Sequence, residues 1–307
     1  MTRDQHKNPA ASVRARLLNL AQSMGEDYQR VLVRYAIERF LYRLGRSRYR
    51  DKFAIKGATL FTLWTGQTPR PTKDLDLLGW GISAIRDVET TIRAICAIPG
   101  DDGILFDAES VEGEPIKEDD EYDGVRVTFR ADLAGARIPM QVDIGFGDAV
   151  YPEPEFALFP VLLPMDAPLI RAYPREASIA EKFNAMVTLD IRNSRMKDFY
   201  DIWFMANTWN FDMSLLRGAI LASFERRGVP IPQDVPFALT SEFLNDPQKR
   251  QQWNAFVSRL NPSNESPSLE EIGILLRAFL LPCISSASSE LNTRQWSPTE
   301  HWSETKS

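Results

Sequence analysis

Lys56-Gly57-Ala58, followed by Arg70-Pro71-Thr72-Lys73-Asp74-Leu75-Asp76-Leu77-Leu78, decides how this chain reads. Asp74 and Asp76 alternate with leucines, and alternate residues of a strand point to one side, so the two carboxylates aim at one point in space. Two like charges held that close call for a cation, and a pair of hard oxygen ligands suits Mg²⁺. Upstream, Phe53-Ala54-Ile55-Lys56 reads as a short strand feeding a glycine turn, with a helix from Ala58 to Trp64. Such a turn offers backbone N–H groups to phosphate oxygens at Gly57 and Ala58, and an alanine there contributes through its backbone alone. Lys56, Arg70 and Lys73 flank the segment, either as neutralising charges for phosphate or as exposed side chains without a role.

A third carboxylate lies in Met140-Gln141-Val142-Asp143-Ile144-Gly145. If this strand pairs beside Asp74–Leu78, Asp143 joins the first two in cupping one or two ions. The alternative is an Asp-Gly type turn in which Asp143 is structural. Val125–Phe129 and Ile138–Ile144 alternate as two strands joined through Ala134-Gly135-Ala136. Glu112 to Asp123, which includes Glu118-Asp119-Asp120-Glu121, reads as a solvated acidic loop. Apolar spacing predicts two helices between Ala11 and Leu44, broken near Gly25-Glu26-Asp27, and another over Ile82–Ile98. The order of elements indicates an α+β core rather than a doubly wound parallel sheet.

After Pro164 the pattern is helical, with Pro174 at a first helical position and further helices over Leu215–Arg226, Asp246–Leu260 and Leu269–Leu280. Lys182 sits among apolar neighbours, which alone describes a snorkelling surface lysine. The cluster Arg195-Met196-Lys197-Asp198-Phe199-Tyr200-Asp201 follows after one helical hairpin, so Lys182 and Asp198 are expected to meet, with Asp201 on the same face or capping the hairpin. The expected organisation is a catalytic core with N-terminal helices over 1–165, a helical domain over 166–284 and a disordered or partner-dependent tail over 285–307. Trp296 and Trp302 are expected to be exposed in that tail.

With 42 acidic and 36 basic residues, the net charge of −6 argues against indiscriminate grip on nucleic acid by the whole surface. Any RNA contact is expected from a local basic surface, the region Arg43–Lys56 or Arg192, Arg195 and Lys197. Cys96 and Cys283 have no metal-ligand spacing and fit a reducing compartment. No signal-like segment opens the sequence, and no apolar run approaches the ~20 residues of a membrane span, so a cytoplasmic protein without membrane contact is expected.

The order Gly57-Ala58, Arg70-x-Thr72-x-Asp74-Leu75-Asp76, Asp143, Lys182 and Arg195-x-Lys197-Asp198-x-x-Asp201 resembles the AbiEii/AbiGii-type nucleotidyltransferase toxins of type IV toxin–antitoxin systems, over roughly residues 30 to 205. The resemblance implies a nucleotidyltransferase-like mixed sheet flanked by helices and completed by a helical C-terminal region. It implies Asp74 and Asp76 as metal ligands with Asp143 beside them, Lys182 as a nucleotide-phosphate contact and Asp198 as the acid of the last motif, with Lys197 and Asp201 as accessories. Mg²⁺, or Mn²⁺ in its place, an NTP substrate and a cognate antitoxin are implied as well. Some members transfer nucleotides to the tRNA 3′ end, and the family includes phage-defence systems. Ala58 departs from the Ser or Gly usual after that glycine in nucleotidyltransferases. Two other readings stay open: transfer to a protein hydroxyl or a small molecule such as an aminoglycoside, and a non-catalytic binding module.

Overall fold

The computed structural model describes residues 9–66, 72, 74–81, 83–118, 122–260, 267–285 and 293–304. Arg70 and Lys73 lie outside them, as do Asp119, Asp120 and Glu121 of the acidic run. The chain divides into two compact units, Met1–Gly147 with Glu155–Ala172, and Asp148–Pro154 with Tyr173–Ser307.

The first unit opens with helices α1 (Pro9–Met24) and α2 (Tyr28–Arg46). Asp27 caps α2 by accepting from the Arg30 N–H, and Val31, Leu32, Tyr35, Phe40, Leu41 and Leu44 bury one stripe of it. Each large apolar side chain so buried stabilises the fold by about 1.5–3 kcal/mol. Arg43 is also buried on α2 and grips Asp102 with two hydrogen bonds of 2.7 and 3.0 Å. Strands β1 (Phe53–Lys56) and β2 (Leu75–Gly79) bracket α3 (Thr59–Thr65), and α4 (Ile85–Cys96) follows. Then come β3 (Ile104–Glu118), β4 (Tyr122–Leu133), β5 (Ala136–Phe146), β6 (Glu155–Leu158) and β7 (Leu169–Ala172).

These seven strands form one mixed sheet in the order β3-β4-β5-β2-β1-β7-β6, with β2 parallel to β5 and β1 parallel to β7. Ala134 and Gly135 both take positive φ, 50° and 83°, the geometry of a two-residue hairpin turn whose twist suits the strands it joins. On β5, Ile138, Met140, Val142 and Ile144 are buried, while Gln141, Asp143 and Gly145 occupy the other face.

The second unit holds α5 (Arg175–Leu189), α6 (Met196–Thr208), β8 (Phe211–Asp212), α7 (Met213–Arg226), α8 (Ser241–Asn245), α9 (Pro247–Val257), α10 (Leu269–Ile284), β9 (Arg294–Ser297) and β10 (His301–Glu304). Pro174 is the N-cap of α5 rather than its first helical residue. Strands β8, β9 and β10 make a small antiparallel sheet.

Four sequence expectations are corrected here. Glu112–Glu118 continues β3 instead of looping, because an edge strand tolerates charged residues on its exposed side. The stretch after Pro164 contains a strand, β7, before the helices begin. The tail carries the β9–β10 hairpin, and Trp296 is fully buried, its ring tilted against Phe279 with centroids 4.8 Å apart and its indole N–H donated to the Ala206 carbonyl at 2.7 Å. Arg43 is committed to Asp102 and is closed to RNA.

Candidate active site

The β1–β2 and β2–β5 registers build the first constellation. Lys56 faces Asp76 across the antiparallel pair, and Asp76 faces Asp143 across the parallel one. Partners in register share a face, so the expected pairing of the two acid-bearing strands holds. One oxygen from each of Asp74, Asp76 and Asp143 lies within 4.8 Å of the others, and all three residues are half-buried. This all-oxygen donor set fits a hard divalent cation, with Mg²⁺ the small, strongly hydrated example. Thr72 donates its hydroxyl to Asp74 Oδ1 at 2.8 Å and so fixes that carboxylate.

Gly57 explains the turn. Its φ of 68° is left-handed, and a Cβ placed there would fall on the Asp76 carboxylate. Only glycine lets the chain turn this close to the acids. Ala58 is buried, which leaves its backbone as the part available at the turn, and α3 starts after it without a side-chain cap.

Sequence reading missed Arg126. It faces Asp143 across the β4–β5 pair and donates from Nε and Nη2 to the two carboxylate oxygens at 2.9 and 2.8 Å. Gln141 Nε2 donates to the same oxygens at 3.1 and 3.2 Å. Hydrogen bonding to Asp143 holds the guanidinium pKa above its ordinary range, against the smaller opposing effect of burial. Arg126 supplies positive charge next to three crowded acids.

The second constellation belongs to the helical unit. Lys182 on α5 reaches Asp198 at 3.2 Å and Asp201 at 2.8 Å, both on α6 and both essentially buried. Arg195 Nε, just before α6, binds the other oxygen of Asp198 at 2.8 Å. Lys182 is therefore no snorkelling surface residue: its side chain is 12% exposed and its ammonium lies between two carboxylates. Asp201 shares the face of Asp198, as its three-residue spacing on a helix requires. Lys197 is exposed on α6 and outside this cluster.

A mixed sheet in which three carboxylates converge beside a glycine turn offers oxygen donors for a hard cation next to backbone N–H groups that suit a phosphate. The family model of the AbiEii nucleotidyl transferase toxins of type IV toxin–antitoxin systems matches residues 39–273, well over half of the chain, and the protein belongs to this family. It is a nucleotidyltransferase. Among solved structures, JHP933 from Helicobacter pylori is similar at 17% identity and a TM-score of 0.45, covering 78% of this chain and 84% of that one. A second H. pylori protein, provisionally named a nucleotidyltransferase, is 20% identical with a TM-score of 0.43, covering 78% of this chain and 87% of its own. No curated protein sequence gives a significant match.

Proposed function

We propose that the protein transfers NMP from an NTP to the 3′ end of an RNA, tRNA being the chosen acceptor, and that this arrests growth in the cytoplasm until a cognate antitoxin intervenes. The observation carrying this reading is the register that places Asp143 beside Asp76, so that three carboxylates from β2 and its N-terminal approach and from β5 converge. In the proposed reaction the acceptor hydroxyl oxygen bonds to the α-phosphorus, the bond from that phosphorus to the bridging oxygen breaks, and pyrophosphate leaves. The hydroxyl proton passes to a neighbouring carboxylate and on to solvent. Asp74, Asp76 and Asp143 would hold Mg²⁺, or Mn²⁺, which when bound supplies Lewis-acid stabilisation of the phosphate charge.

The chain's own residues then have distinct tasks. Gly57 and the backbone of Ala58 receive the triphosphate, and Lys56 and Arg70 offset its charge. Thr72 keeps Asp74 oriented, and Arg126 and Gln141 keep Asp143 oriented. Lys182, its ammonium held by Asp198 and Asp201, is the residue we assign to a nucleotide phosphate, with Lys197 an outlying cation.

Incubation with α-labelled NTPs and separate pools of RNA, protein and aminoglycoside tests the reading. Label is expected in RNA, at its 3′ end, and to vanish in a folded Asp76→Ala protein. Label in protein or aminoglycoside alone would replace the acceptor, and growth arrest by folded Asp76→Ala would remove catalysis from the account.

A further inference from the structure

Asp143 has no acceptor position to spare. Arg126 Nε and Gln141 Nε2 donate to its Oδ1 at 2.9 and 3.1 Å, and Arg126 Nη2 and Gln141 Nε2 donate to its Oδ2 at 2.8 and 3.2 Å. A carboxylate accepts in about four positions, so these donors fill both oxygens. Asp74 and Asp76 each bring an oxygen within 4.8 Å of one on Asp143. For Asp143 to give an oxygen to a cation alongside them, one of its two donor side chains has to withdraw.

Electrostatics selects Arg126. A divalent cation close by repels a guanidinium and has no such effect on the neutral Gln141 amide. The Arg126 side chain is 37% exposed, so solvent already weakens its pair with Asp143. Its Nε–H and one proton of Nη2 face Asp143, while the protons of Nη1 and the second proton of Nη2 have no acceptor among the described residues. Glu114, opposite Arg126 on β3, is exposed and forms no ion pair with it, so its attraction and that of Asp74 reach the guanidinium only through space. The outer edge of the fork is thus open beside the acids, and a planar pair of N–H donors matches two oxygens of one phosphate.

We propose that Arg126 is a contact for the nucleotide's phosphates: as the triphosphate and its cation arrive, the guanidinium passes from Asp143 to phosphate oxygens, and Asp143 is freed to ligate the cation. This rests on the nucleotidyl-transfer reading above, with Asp143 as third ligand. Gln141 stays on Asp143 and keeps it oriented through the exchange. The exchange gives removal of Arg126 opposite signs for two ligands. Without it the cation meets an uncontested Asp143 and binds more tightly, whereas triphosphate loses a contact and binds more weakly. A strut that only held Asp143 in place would, once removed, weaken cation binding instead.

The test uses the full chain and two probes that need no turnover. Mn²⁺ alone is titrated by electron paramagnetic resonance, and inorganic triphosphate is titrated in EDTA by calorimetry. Arg126→Gln is expected to bind Mn²⁺ about threefold or more tightly than wild type and triphosphate about tenfold more weakly. Arg130→Gln removes the same charge from the same face of β4, at a side chain 69% exposed and further along the strand, and is expected to change neither. Equal effects of the two variants would report the field of a lost charge and overturn the proposal. In an Asp143→Asn background Arg126→Gln is still expected to weaken triphosphate binding, and loss of that effect reduces Arg126 to a strut acting through Asp143. Weaker Mn²⁺ binding by Arg126→Gln overturns the exchange too. If Arg126→Gln does not fold, Arg126→Lys, which keeps the charge and loses the fork, is expected to bind triphosphate more weakly, and wild-type affinity there overturns the proposal. Wild-type protein that binds Mn²⁺ and labels RNA leaves the proposed function standing through any of these failures. Wild-type protein that binds neither probe and labels no acceptor overturns both.

Discussion

Arg126 and Asp143 sit opposite one another on β4 and β5, joined by two charge-assisted hydrogen bonds of 2.9 and 2.8 Å. The guanidinium fork engages both oxygens of a carboxylate that also lies within ligand range of Asp74 and Asp76. A divalent cation held by these acids would therefore draw on the same charge as Arg126. Replacing Arg126 with Ala leaves three acids crowded together without that cation. Arg126 is 37% exposed, so solvent screens the pair and the expected loss of stability without metal is only about 1 kcal/mol. Adding Mg²⁺ is expected to raise the melting temperature of Arg126→Ala by more than that of wild type. Equal shifts in EDTA-matched thermal melts would show that Arg126 and the cation do not share Asp143.

Glu38 gives the first unit a pH dependence. It is 1% exposed on α2, with the Leu162 N–H donating to Oε2 at 2.7 Å and the Arg39 guanidinium 3.0 Å from Oε1. Burial pushes its carboxyl pKa from 4.5 up to about 7, and these two partners only partly oppose that. A raised folded-state pKa means the folded protein holds this proton more tightly than the unfolded chain. The associated stability is complete below about pH 4.5, declines as the unfolded chain deprotonates first, and is gone above about pH 7. The span is on the order of 3 kcal/mol. Glu38→Gln is expected to flatten the denaturation midpoint across that window, and an unaltered slope would assign the pH dependence to other groups.

Lys182 holds two buried carboxylates, Asp198 and Asp201, and Arg195 assists with only the first. Removing one partner of a buried ionic cluster leaves charge in a poorly solvating environment, at about 3–5 kcal/mol. Lys182→Met is expected to lower stability by that order, and Arg195→Ala, whose side chain is 37% exposed, by much less. Combining Lys182→Met with Asp201→Asn is expected to cost less than the two separate losses together. Urea denaturation of the four proteins measures the coupling, and strict additivity would mean that Lys182 and Asp201 stabilise independently.

Much of this arrangement was legible from local pattern. Alternation at Asp74-Leu75-Asp76 and Met140–Ile144 foretold strands, and the helical hairpin pointed to the meeting of Lys182 with Asp198, while the three-residue spacing left Asp201 on the same face or at a cap; its ion pair with Lys182 came only with the structure. Arg126 was within reach too: seven residues back from Leu133 and seven forward from Ala136, the residues flanking the Ala134-Gly135 turn, land on Arg126 and Asp143. An arginine in an alternating strand reads as solvent-facing until the register is counted. Strands β6 and β7 were harder, being four residues long and separated by Pro160, Pro164 and Pro168, with pairing that depends on distant β1. Distant partners leave no local period in the sequence.

The same blindness to long-range packing applies to Trp296, whose neighbours Arg294, Gln295 and Ser297 suggest a polar tail. Its ring lies against Phe279, His301 and Trp302, its indole N–H bonds to Ala206, and β9 pairs with β8 at Phe211. A fully buried Trp cut back to Ala removes large apolar contact and strands the Ala206 carbonyl, at about 3–5 kcal/mol. Trp302→Ala, on the partly exposed strand β10, removes less buried surface and is expected to cost less. Truncation after Ser285 removes both and is expected to unfold the second unit at a lower denaturant midpoint than Trp296→Ala does. A truncated chain as stable as the full one would return the segment to the role of a dispensable arm.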